Sequence, residues 1–396
     1  MDSLKGHRIV LVSRIFAPEP GAASLRLRAL AHHLHDRGAD VRVYTSAPPR
    51  GMTASREPFE VRRAPVLRDR EGYVRGYLQY LSFDVPAFFR VLAARRSDAI
   101  IVEPPPTTGA FLRVAAALRR TPYHFYAADV WSEAAAVAGA PSVVVRMVRA
   151  FERFVYRGAR SVIAVSDSVA ARVRDVHPDA RVHVVGNGFD PDVFRFGGTA
   201  REDGPPYLLY AGTASEVHGA GIFVDALPMV LADLPDARIV FVGQGADRDS
   251  IAAAAAAVAP GAVEILPRHS PEDTAEWIRG ARATLASMLP GGYDAFPTKM
   301  YASAGCGVPV VYAGEGAGRK FAEVRGVGWA VDYDVAAVAR AMIEALRRTP
   351  DPADGSRLAA WAHENYSLHA VADRIIGRLG LESETHDQHG EERESK

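Results

Sequence analysis

The sequence predicts an α/β protein with two halves of similar size, each containing a parallel sheet. Short apolar runs alternate with segments of helical hydrophobic spacing along most of the chain, and this alternation is typical of parallel sheets. A polar stretch rich in glycine and proline, residues 197–206, interrupts the series and is the best candidate for a linker. We therefore expect one domain over residues 1–196, a second over 207–360, and a cleft between them that binds ligands at the carboxyl ends of the strands.

The first half opens with a strand, a helix and a second strand. Residues 9–13 form an apolar run of the kind found in buried parallel strands. Residues 25–37 have helical spacing that ends before Gly38, and residues 41–45 predict the next strand. The later strands of this half are predicted at residues 99–102, 124–127, 161–165 and 182–185.

The second half repeats this alternation of strands and helices. Its strands are predicted at residues 207–210, 238–242, 263–266, 283–286 and 309–312. Beyond them, residues 381–396 are charged and almost free of large apolar side chains, which predicts a disordered tail.

The composition limits the class of protein. The 396 residues carry 47 basic and 47 acidic side chains, and this balance argues against binding nucleic acid through bulk electrostatics. The single cysteine, Cys306, excludes an intramolecular disulfide and a cysteine-based zinc site. No apolar run reaches about 18 residues, and the first residues lack the hydrophobic region of a signal peptide, so we expect a cytoplasmic enzyme.

Residues 62–96 combine aromatic and basic side chains. The aromatic members are Tyr73, Tyr77, Tyr80, Phe83, Phe88 and Phe89, and the basic members include Arg75, Arg90, Arg95 and Arg96. Two interpretations stay open. The segment is either a peripheral membrane-surface or acceptor-binding element, or a pair of helices that face the core and carry a solvated basic side.

Lys299 is the most informative charged residue of the second half. The stretch from Pro297 to Gly305 follows a predicted strand and is expected to open a helix at the cleft. A helix N-terminus binds anions through its free N–H groups, and its dipole normally disfavours a lysine in the first turn. A lysine at this position therefore suggests a phosphate ligand, the alternative being a solvated surface side chain.

The chain resembles GT-B glycosyltransferases of the family 4 type over roughly residues 7–380. The segments that carry the resemblance are FAPEPGA at 16–22, LHDRGADV at 34–41, ADVWSE at 128–133, AVS at 164–166, VGNGFD at 185–190, YAG at 210–212, VGQG at 242–245, PTK at 297–299 and GVPVV at 307–311. The resemblance implies two Rossmann-like domains that face each other across a cleft. It also implies that residues 361–380 form a C-terminal helix that packs back toward the first domain.

The resemblance implies that the second half holds a nucleotide sugar. Lys299 corresponds to the basic residue that contacts the diphosphate, and the loop from Gly212 to Gly219 corresponds to the loop beside the same phosphates. Arg268 belongs to the segment around the nucleobase. The donor-binding residues expected from this correspondence are Gly212, Thr213, His218, Arg268, Asp294, Pro297 and Lys299.

One departure from the family concerns two glutamates that usually stand at the positions of Asp294 and Ala302. In the family the first binds the sugar and the second binds the ribose hydroxyls. Here the first carboxylate is one methylene shorter and the second is lost. Because a charged hydrogen bond contributes about 1.5–3 kcal/mol, ribose recognition must be weaker or come from elsewhere.

A second departure lies in the loop after Gly212. Many members have an arginine and a lysine where this chain has Thr213 and His218. Lys299 is then the only full positive charge expected on the diphosphate, unless a protonated His218 or one of two arginines contributes. Those arginines are Arg268 and Arg319.

The resemblance assigns the first half to the acceptor. Gly21 and Ala22 correspond to a loop that closes onto the donor, although Gly21 is also explained as a plain turn glycine. Asp129 follows a predicted strand, and its carboxylate can take the proton from an attacking hydroxyl. The alternative for Asp129 is an N-cap of the following helix, and Glu103 and Glu133 are weaker candidates for the base.

The stereochemical outcome stays open at the sequence level. Related inverting GT-B enzymes have an aspartate base at the position of Asp129, whereas retaining family 4 enzymes often have a histidine there. Asp332 and Asp334 look like the metal-binding pair of the other glycosyltransferase fold, but Asp334 is placed to cap a helix. We therefore expect neither a metal nor a cofactor.

The reaction expected from the resemblance is transfer of a sugar from a nucleoside diphosphate sugar to an acceptor hydroxyl or amine. The acceptor classes that fit are a surface glycan, a lipid-linked molecule and a natural product. Two alternatives stay open, namely a non-catalytic partner of an active transferase and a sugar-nucleotide 2-epimerase. Fold alone does not decide among these.

Overall fold

A computed structural model describes residues 4–19, 21–54, 56–69, 74, 76–137, 139–201, 204–291, 296–324 and 326–381. Contacts divide the chain into two compact units. The first contains the residues up to Gly186 and those from Val371 onward, and the second runs from Asn187 to Ala370. Each unit contains one wholly parallel sheet with helices connecting its strands, so the predicted fold class is confirmed.

The sheet of the first unit has seven strands in the order β3-β2-β1-β4-β5-β6-β7. Its strands are β1 (Arg8–Val12), β2 (Asp40–Ser46), β3 (Glu60–Ala64), β4 (Ala99–Val102), β5 (Tyr123–Ala127), β6 (Ser161–Ala164) and β7 (Val182–Val184). The strands β1, β4, β5 and β6 are almost completely buried, as expected for parallel strands covered on both faces. The sequence did not predict β3, because this edge strand is half-exposed and strongly charged.

The helices of the first unit pack on this sheet. They are α1 (Ala22–Asp36), α2 (Tyr77–Ala93), α3 (Pro106–Arg119), α4 (Trp131–Val137), α5 (Ser142–Gly158) and α6 (Asp167–Val176). The last helix of the chain, α14 (Leu368–Leu379), contributes Val371, Ile375 and Leu379 to the same hydrophobic core. Leu381 also packs against this core, and the rest of the predicted tail lies outside the described residues.

The interpretation of residues 62–96 as a pair of core-facing helices with a solvated basic side is wrong. The described part of this segment contains a single long helix, α2, whose inner side buries Phe83, Ala87 and Val91. Its outward side is apolar rather than basic, with Leu78 and Phe89 exposed. Tyr73 and Arg75 lie outside the described residues. Among the described helices, no α-helix combines the length and apolar character needed to cross a bilayer.

The sheet of the second unit has six strands in the order β10-β9-β8-β11-β12-β13. Its strands are β8 (Tyr207–Ala211), β9 (Arg238–Val242), β10 (Val263–Leu266), β11 (Ala283–Ser287), β12 (Val310–Ala313) and β13 (Gly328–Val331). Its helices are α7 (Ile222–Asp233), α8 (Arg248–Val258), α9 (Pro271–Gly280), α10 (Lys299–Gly305), α11 (Gly316–Ala322), α12 (Val335–Arg347) and α13 (Pro352–Tyr366).

The strand orders place a topological switch point in each sheet. In the second unit β8 pairs with both β9 and β11, so successive connections leave it in opposite directions. In the first unit β1 pairs with β2 and β4 in the same way. Ligands of open α/β sheets bind beside the carboxyl ends of the strands at such points. The segments that follow β8, β11, β1 and β4 are therefore the places to look for function.

Candidate functional site

Lys299 is the central charged residue at the switch point of the second unit. It begins α10, and its side chain lies over Tyr210 of β8, with Nζ 3.4 Å from the centroid of the phenol ring. Nζ is buried and has no hydrogen-bond partner among the described residues. A Cβ atom at Gly212 would lie 3.7 Å from Nζ, so the glycine backbone runs directly beside the ammonium group.

The electrostatics of Lys299 favour binding of an anion. Burial lowers the pKa of its ammonium group well below the ordinary lysine value. The ring of Tyr210 offers a cation–π contact, which compensates only part of the lost hydration. Burying a charge without an ionic or hydrogen-bonding partner costs free energy. A ligand that brings negative charge to Lys299 would remove that cost.

The loop after β8 is fixed beside Lys299 by backbone contacts with the loop after β9. The N–H of Gly212 donates to the carbonyl of Val242 at 2.8 Å, and the N–H of Ala214 donates to Gln244 at 2.8 Å. A Cβ atom at Gly243 would lie only 2.0 Å from the Gly212 carbonyl oxygen. Only glycine therefore allows the two loops to approach this closely.

The far end of the same loop is also held in place. The hydroxyl of Tyr333 donates to the Gly219 carbonyl at 2.6 Å, and the N–H of Leu289 donates to Val217 at 3.1 Å. The hydroxyl of Tyr210 donates to the carbonyl of Thr213 at 3.1 Å. Hydrogen bonds therefore fix both ends of the loop from Gly212 to Gly219, which borders the buried ammonium group.

His218 supplies a neutral ring rather than a second positive charge. Its Nδ1 lies 2.6 Å from Ser215 Oγ. Burial, and then the neighbouring charge of Lys299, lower the pKa of the His218 imidazole to about 4, although Asp247 opposes the shift. The lowered pKa disfavours the alternative in which a protonated His218 adds charge at neutral pH in the ligand-free protein.

The two arginines considered at this site differ in their partners. Arg319 is held by Glu323 at 3.0 Å and by Asp332 at 2.9 Å, so its charge is already compensated. Arg268 follows β10, is exposed, and has no ion pair or side-chain hydrogen bond among the described residues. Of the two arginines, Arg268 can therefore bind a ligand without breaking an ion pair, whereas Arg319 cannot.

The start of α10 differs from the helix terminus predicted for binding an anion. The N–H of Met300 donates to the carbonyl of buried Pro297 at 3.0 Å, and the N–H of Tyr301 donates to Thr298 at 3.1 Å. These first-turn donors are already used, and the helix has only seven residues. The side chain of Lys299 is therefore the main positive element at this position.

The two carboxylate positions of the family have different outcomes. Asp294 lies outside the described residues. Ala302 is partly buried and packs against the apolar cluster that contains Val242 and Val308. The position at which family members have a ribose-binding glutamate therefore presents a methyl group to an apolar environment.

The switch point of the first unit contains a buried polar cluster. Arg26 of α1 pairs with Glu103 at 2.8 Å, and both side chains are buried. Ser13, directly after β1, donates its hydroxyl proton to Glu103 at 3.0 Å. The guanidinium of Arg26 also lies 5.1 Å from the ring centroid of Tyr126. Because the Glu103 carboxylate is occupied by its ion pair with Arg26, it is a poor candidate for a base.

Asp129 follows β5 near this cluster. Its side chain is exposed and accepts no hydrogen bond within the described part of the chain. Surrounding protein atoms raise the pKa of its carboxyl group by desolvation, and the charge of Arg26 opposes this shift. The carboxylate is therefore accessible and electrostatically coupled to a buried arginine.

The alternative role of Asp129 as a helix cap is wrong. The first N–H groups of α4, from Trp131 and Ser132, donate to the carboxylate of Glu152 at 2.6 and 3.3 Å. The other candidate base, Glu133, pairs with Arg172 at 2.9 Å. Of the three acidic residues considered as the base, Glu103 and Glu133 form ion pairs, and Asp129 forms none among the described residues.

The remaining predicted site residues have simpler surroundings. Gly21 and Ala22 are exposed at the start of α1, and a Cβ atom at Gly21 would meet nothing within 4 Å. Asp334 caps α12 by accepting the N–H of Ala337 at 2.9 Å, so the predicted cap is confirmed. Over the described ranges, no group of three or more histidine, cysteine, aspartate or glutamate side chains could hold a metal ion.

Two elements of the site were missed at the sequence level. Tyr210 was assigned to a predicted strand and to the YAG segment of the family resemblance, but not to the site. Gly243 and Gly245 were counted only toward the family resemblance, within VGQG at 242–245, and were given no role in the site. Their spacing two residues apart at the end of a strand was the available signal, since it indicates a close backbone approach.

Both units match glycosyltransferase domain families. Residues 21–188 match the family described as Glycosyl transferase 4-like domain. Residues 205–348 match the family described as Glycosyl transferases group 1. A comparison with curated protein sequences gives no significant match.

Solved structures with the same fold include several proteins that act on sugars. Anabaena HepE, solved in complex with UDP and glucose, has a TM-score of 0.68 and 17% identity, covering 94% of this chain and 99% of its own. Sucrose-phosphate synthase from Thermosynechococcus elongatus has a TM-score of 0.70 and 19% identity, with coverage of 94% and 98%. A putative UDP-N-acetylglucosamine 2-epimerase from Listeria monocytogenes has a TM-score of 0.61 and 12% identity, with coverage of 94% and 95%.

At these identities the structural likenesses establish the fold, and the domain matches establish the class of enzyme. The two matched segments together span most of the chain, one in each parallel-sheet unit. Both family descriptions name transferases, so the matches favour a glycosyltransferase over the epimerase and the non-catalytic partner. The chain belongs to the family 4-like glycosyltransferases with the GT-B fold.

Proposed function

We propose that the enzyme transfers a sugar from a nucleoside diphosphate sugar to an acceptor hydroxyl or amine. The observation that carries this proposal is the buried ammonium group of Lys299, which has no hydrogen-bond partner among the described residues and lies beside the backbone of Gly212. A diphosphate is the part of such a donor that would compensate this charge. The site lies at a topological switch point, where α/β sheets bind nucleotides.

The donor base is proposed from the relatives. HepE was solved with UDP, and with UDP-glucose as well as with UDP and glucose together. We propose a uridine nucleotide as the first donor to test. Arg268, exposed after β10, is proposed to contact the nucleobase or its ribose, and Ala302 is expected to leave the ribose hydroxyls with one charged partner fewer than usual.

The proposed reaction needs stabilisation of the leaving diphosphate. The bond between the anomeric carbon and the diphosphate oxygen breaks, and its electron pair stays on the diphosphate. Lys299 is proposed to bind the negative charge that develops there, with the backbone of Gly212 and Thr213 placed alongside. Fixed positive groups at the site of developing charge are usually the largest single contribution to catalysis.

Asp129 is proposed to act on the acceptor. A new bond forms between the acceptor oxygen or nitrogen and the anomeric carbon, and the acceptor proton passes to the Asp129 carboxylate. Its accessibility, its raised pKa and its freedom from helix capping support this role. No metal ion is required in this scheme, because Lys299 supplies the positive charge. Surface glycans, lipid-linked molecules and natural products are the proposed acceptor classes.

A thermal-shift panel tests the donor proposal. The purified chain is heated with UDP, dTDP, GDP, ADP or CDP, each with and without EDTA. A ligand at a hundred times its dissociation constant stabilises the folded state by about 2.7 kcal/mol, which is a clear shift in Tm. We expect UDP to raise the Tm whether or not EDTA is present. A panel in which no nucleotide shifts the Tm contradicts the proposal.

A further inference from the structure

Three helices of the first unit form a continuous outer layer. α2 contacts α3 through the rings of Phe88 and Phe111, whose centroids lie 6.2 Å apart. α3 contacts α5 through Arg113, whose guanidinium lies 3.8 Å from the ring centroid of Phe154. The outward sides of these helices therefore belong to one surface, which we call the α2–α3–α5 face.

Among the described residues, the most exposed side chains of α2 and α3 are all apolar, while Arg90 and Arg113 are half-exposed. The exposed residues are Leu78, Leu81, Val85, Phe89 and Ala93 on α2 and Val114, Ala117 and Leu118 on α3. Three of them are largely exposed, with Leu78 at 70%, Phe89 at 61% and Leu118 at 66%. A surface helix ordinarily presents charged and polar residues to water, so this pattern indicates a surface that is covered when the protein functions.

The neighbouring helix α5 mixes apolar and basic residues. Its exposed apolar side chains are Val143, Met147, Phe151 and Phe154, and its exposed arginines are Arg146, Arg149, Arg153 and Arg157. Helices that lie in the plane of a membrane interface typically combine arginines with exposed aromatic and aliphatic residues.

The exposed charges on the three helices are all positive. The helices contain two acidic residues, and both are buried within the protein. Asp84 accepts a hydrogen bond from the hydroxyl of Thr108, and Glu152 binds the first N–H groups of α4. The face therefore combines apolar side chains with basic ones and has no exposed carboxylate among its described residues.

This charge pattern selects among the partners that an apolar face can have. A second copy of the chain would bring two faces of like charge together. A nucleic acid would use the arginines but would leave the leucines and phenylalanines uncovered. A bilayer with anionic lipids satisfies both, because the apolar side chains enter the acyl boundary while the arginines meet the lipid phosphates.

We propose that the α2–α3–α5 face docks the enzyme on the surface of a bilayer that contains anionic lipids. The argument uses only the first unit and does not depend on the donor proposed above. Docking brings this unit, the one matched to the Glycosyl transferase 4-like domain, to the membrane surface.

Vesicle flotation tests the proposal. The full chain is mixed with vesicles of phosphatidylcholine alone, or with vesicles in which about one-third of the lipid is phosphatidylglycerol. We expect the protein to float with the anionic vesicles, and increasing salt to weaken this binding. Arg146→Gln and Arg157→Gln should each weaken binding about fivefold, which corresponds to about 1 kcal/mol for a basic residue near an anionic surface.

Matched variants separate docking from general stickiness. The double variant Leu81→Glu with Phe89→Glu should abolish flotation. Met229 of α7, an exposed apolar residue (48%), and Arg340 of α12, an exposed arginine, both lie outside the α2–α3–α5 face. Met229→Glu and Arg340→Gln should therefore float like the wild type. Thermal melts of all the variants check that they are folded.

Three results would overturn the proposal. The first is a wild-type protein that does not float with anionic vesicles at low salt. The second is a folded Leu81→Glu, Phe89→Glu variant that floats as well as Met229→Glu. The third is a wild-type dimer in light scattering that becomes a monomer in the double variant, since that result assigns the face to a second copy.

Discussion

The Nζ atom of Lys299 lies 3.4 Å from the ring centroid of Tyr210, buried and without a hydrogen-bond acceptor among the described residues. This relationship links the two segments at the switch point of the second sheet, the end of β8 and the start of α10. It also explains why the site is positive even though the two basic residues usual in the adjoining loop are replaced by Thr213 and His218. The predictions below follow from this contact and from the surroundings of Asp129.

Replacing Lys299 should stabilise the ligand-free protein. Lys299→Met keeps most of the side-chain length and contact with Tyr210 but removes a buried, uncompensated ammonium group. We expect the free energy of unfolding to rise by about 1–3 kcal/mol, the usual cost of an unsatisfied buried polar group. Urea unfolding without nucleotide measures this. Lys320→Met, at an exposed lysine of α11, is the control and should change stability little. A loss of stability in Lys299→Met would show that the ammonium is already compensated.

The same lysine predicts a pH dependence of stability. Because burial lowers the pKa of Lys299 in the folded state, the unfolded chain binds a proton that the folded chain has lost. Stability of the ligand-free enzyme should therefore rise with pH between that lowered pKa and the ordinary value of about 10.4. Below the lowered pKa the penalty is complete, and above the ordinary value it disappears. Unfolding curves at several pH values should show this slope in the wild type relative to Lys299→Met, and parallel curves would contradict it.

Removing the Asp129 carboxylate should reduce turnover without affecting the fold. Asp129 accepts no hydrogen bond from α4, so Asp129→Asn is expected to leave the Tm unchanged. A general base contributes about 10²–10⁴-fold, and kcat should fall within that range while UDP affinity stays the same. Steady-state kinetics with a competent acceptor measure the effect. Glu133→Gln breaks a partly exposed pair with Arg172 and should retain turnover. Equal kcat values for Asp129→Asn and wild type would remove Asp129 from the mechanism.

A side chain at Gly243 should displace the loop that borders Lys299. A Cβ atom there would lie 2.0 Å from the Gly212 carbonyl oxygen, whereas one at Gly377 of α14 would meet nothing within 4 Å. We expect Gly243→Ala to weaken UDP binding more than tenfold and to lower the Tm, because backbone must move to relieve the clash. Gly377→Ala should bind UDP like the wild type. Calorimetry on the two folded variants gives the comparison, and identical affinities would mean that the loop position is unimportant.

The sequence predicted the inner strands well because they are buried on both faces. β1, β4, β5 and β8 are nearly continuous apolar runs, and such runs need no knowledge of tertiary structure to be recognised. β3 and β13 were missed. Both are edge strands, and their residues are charged or half-exposed, so their pairing depends on a neighbour that the sequence does not identify.

The site was predictable in position more than in chemistry. Lys299 was predicted to bind an anion on the assumption of a free helix N-terminus, whereas Met300 and Tyr301 already donate to the preceding carbonyls. The lowered pKa of His218 depends on burial and on Lys299, which is distant in the sequence. The cap of α4 comes from Glu152, 21 residues after Trp131, so local spacing could not remove the capping alternative for Asp129.

The most direct test of the account is a calorimetric titration of UDP into wild type, Lys299→Met and Lys320→Met at neutral pH. We predict that Lys299→Met weakens UDP binding by about ten- to a hundredfold, since a charged hydrogen bond contributes about 1.5–3 kcal/mol, and that Lys320→Met binds like the wild type. If Lys299→Met binds UDP as tightly as the wild type, the buried lysine is not part of the donor site and the central claim is wrong.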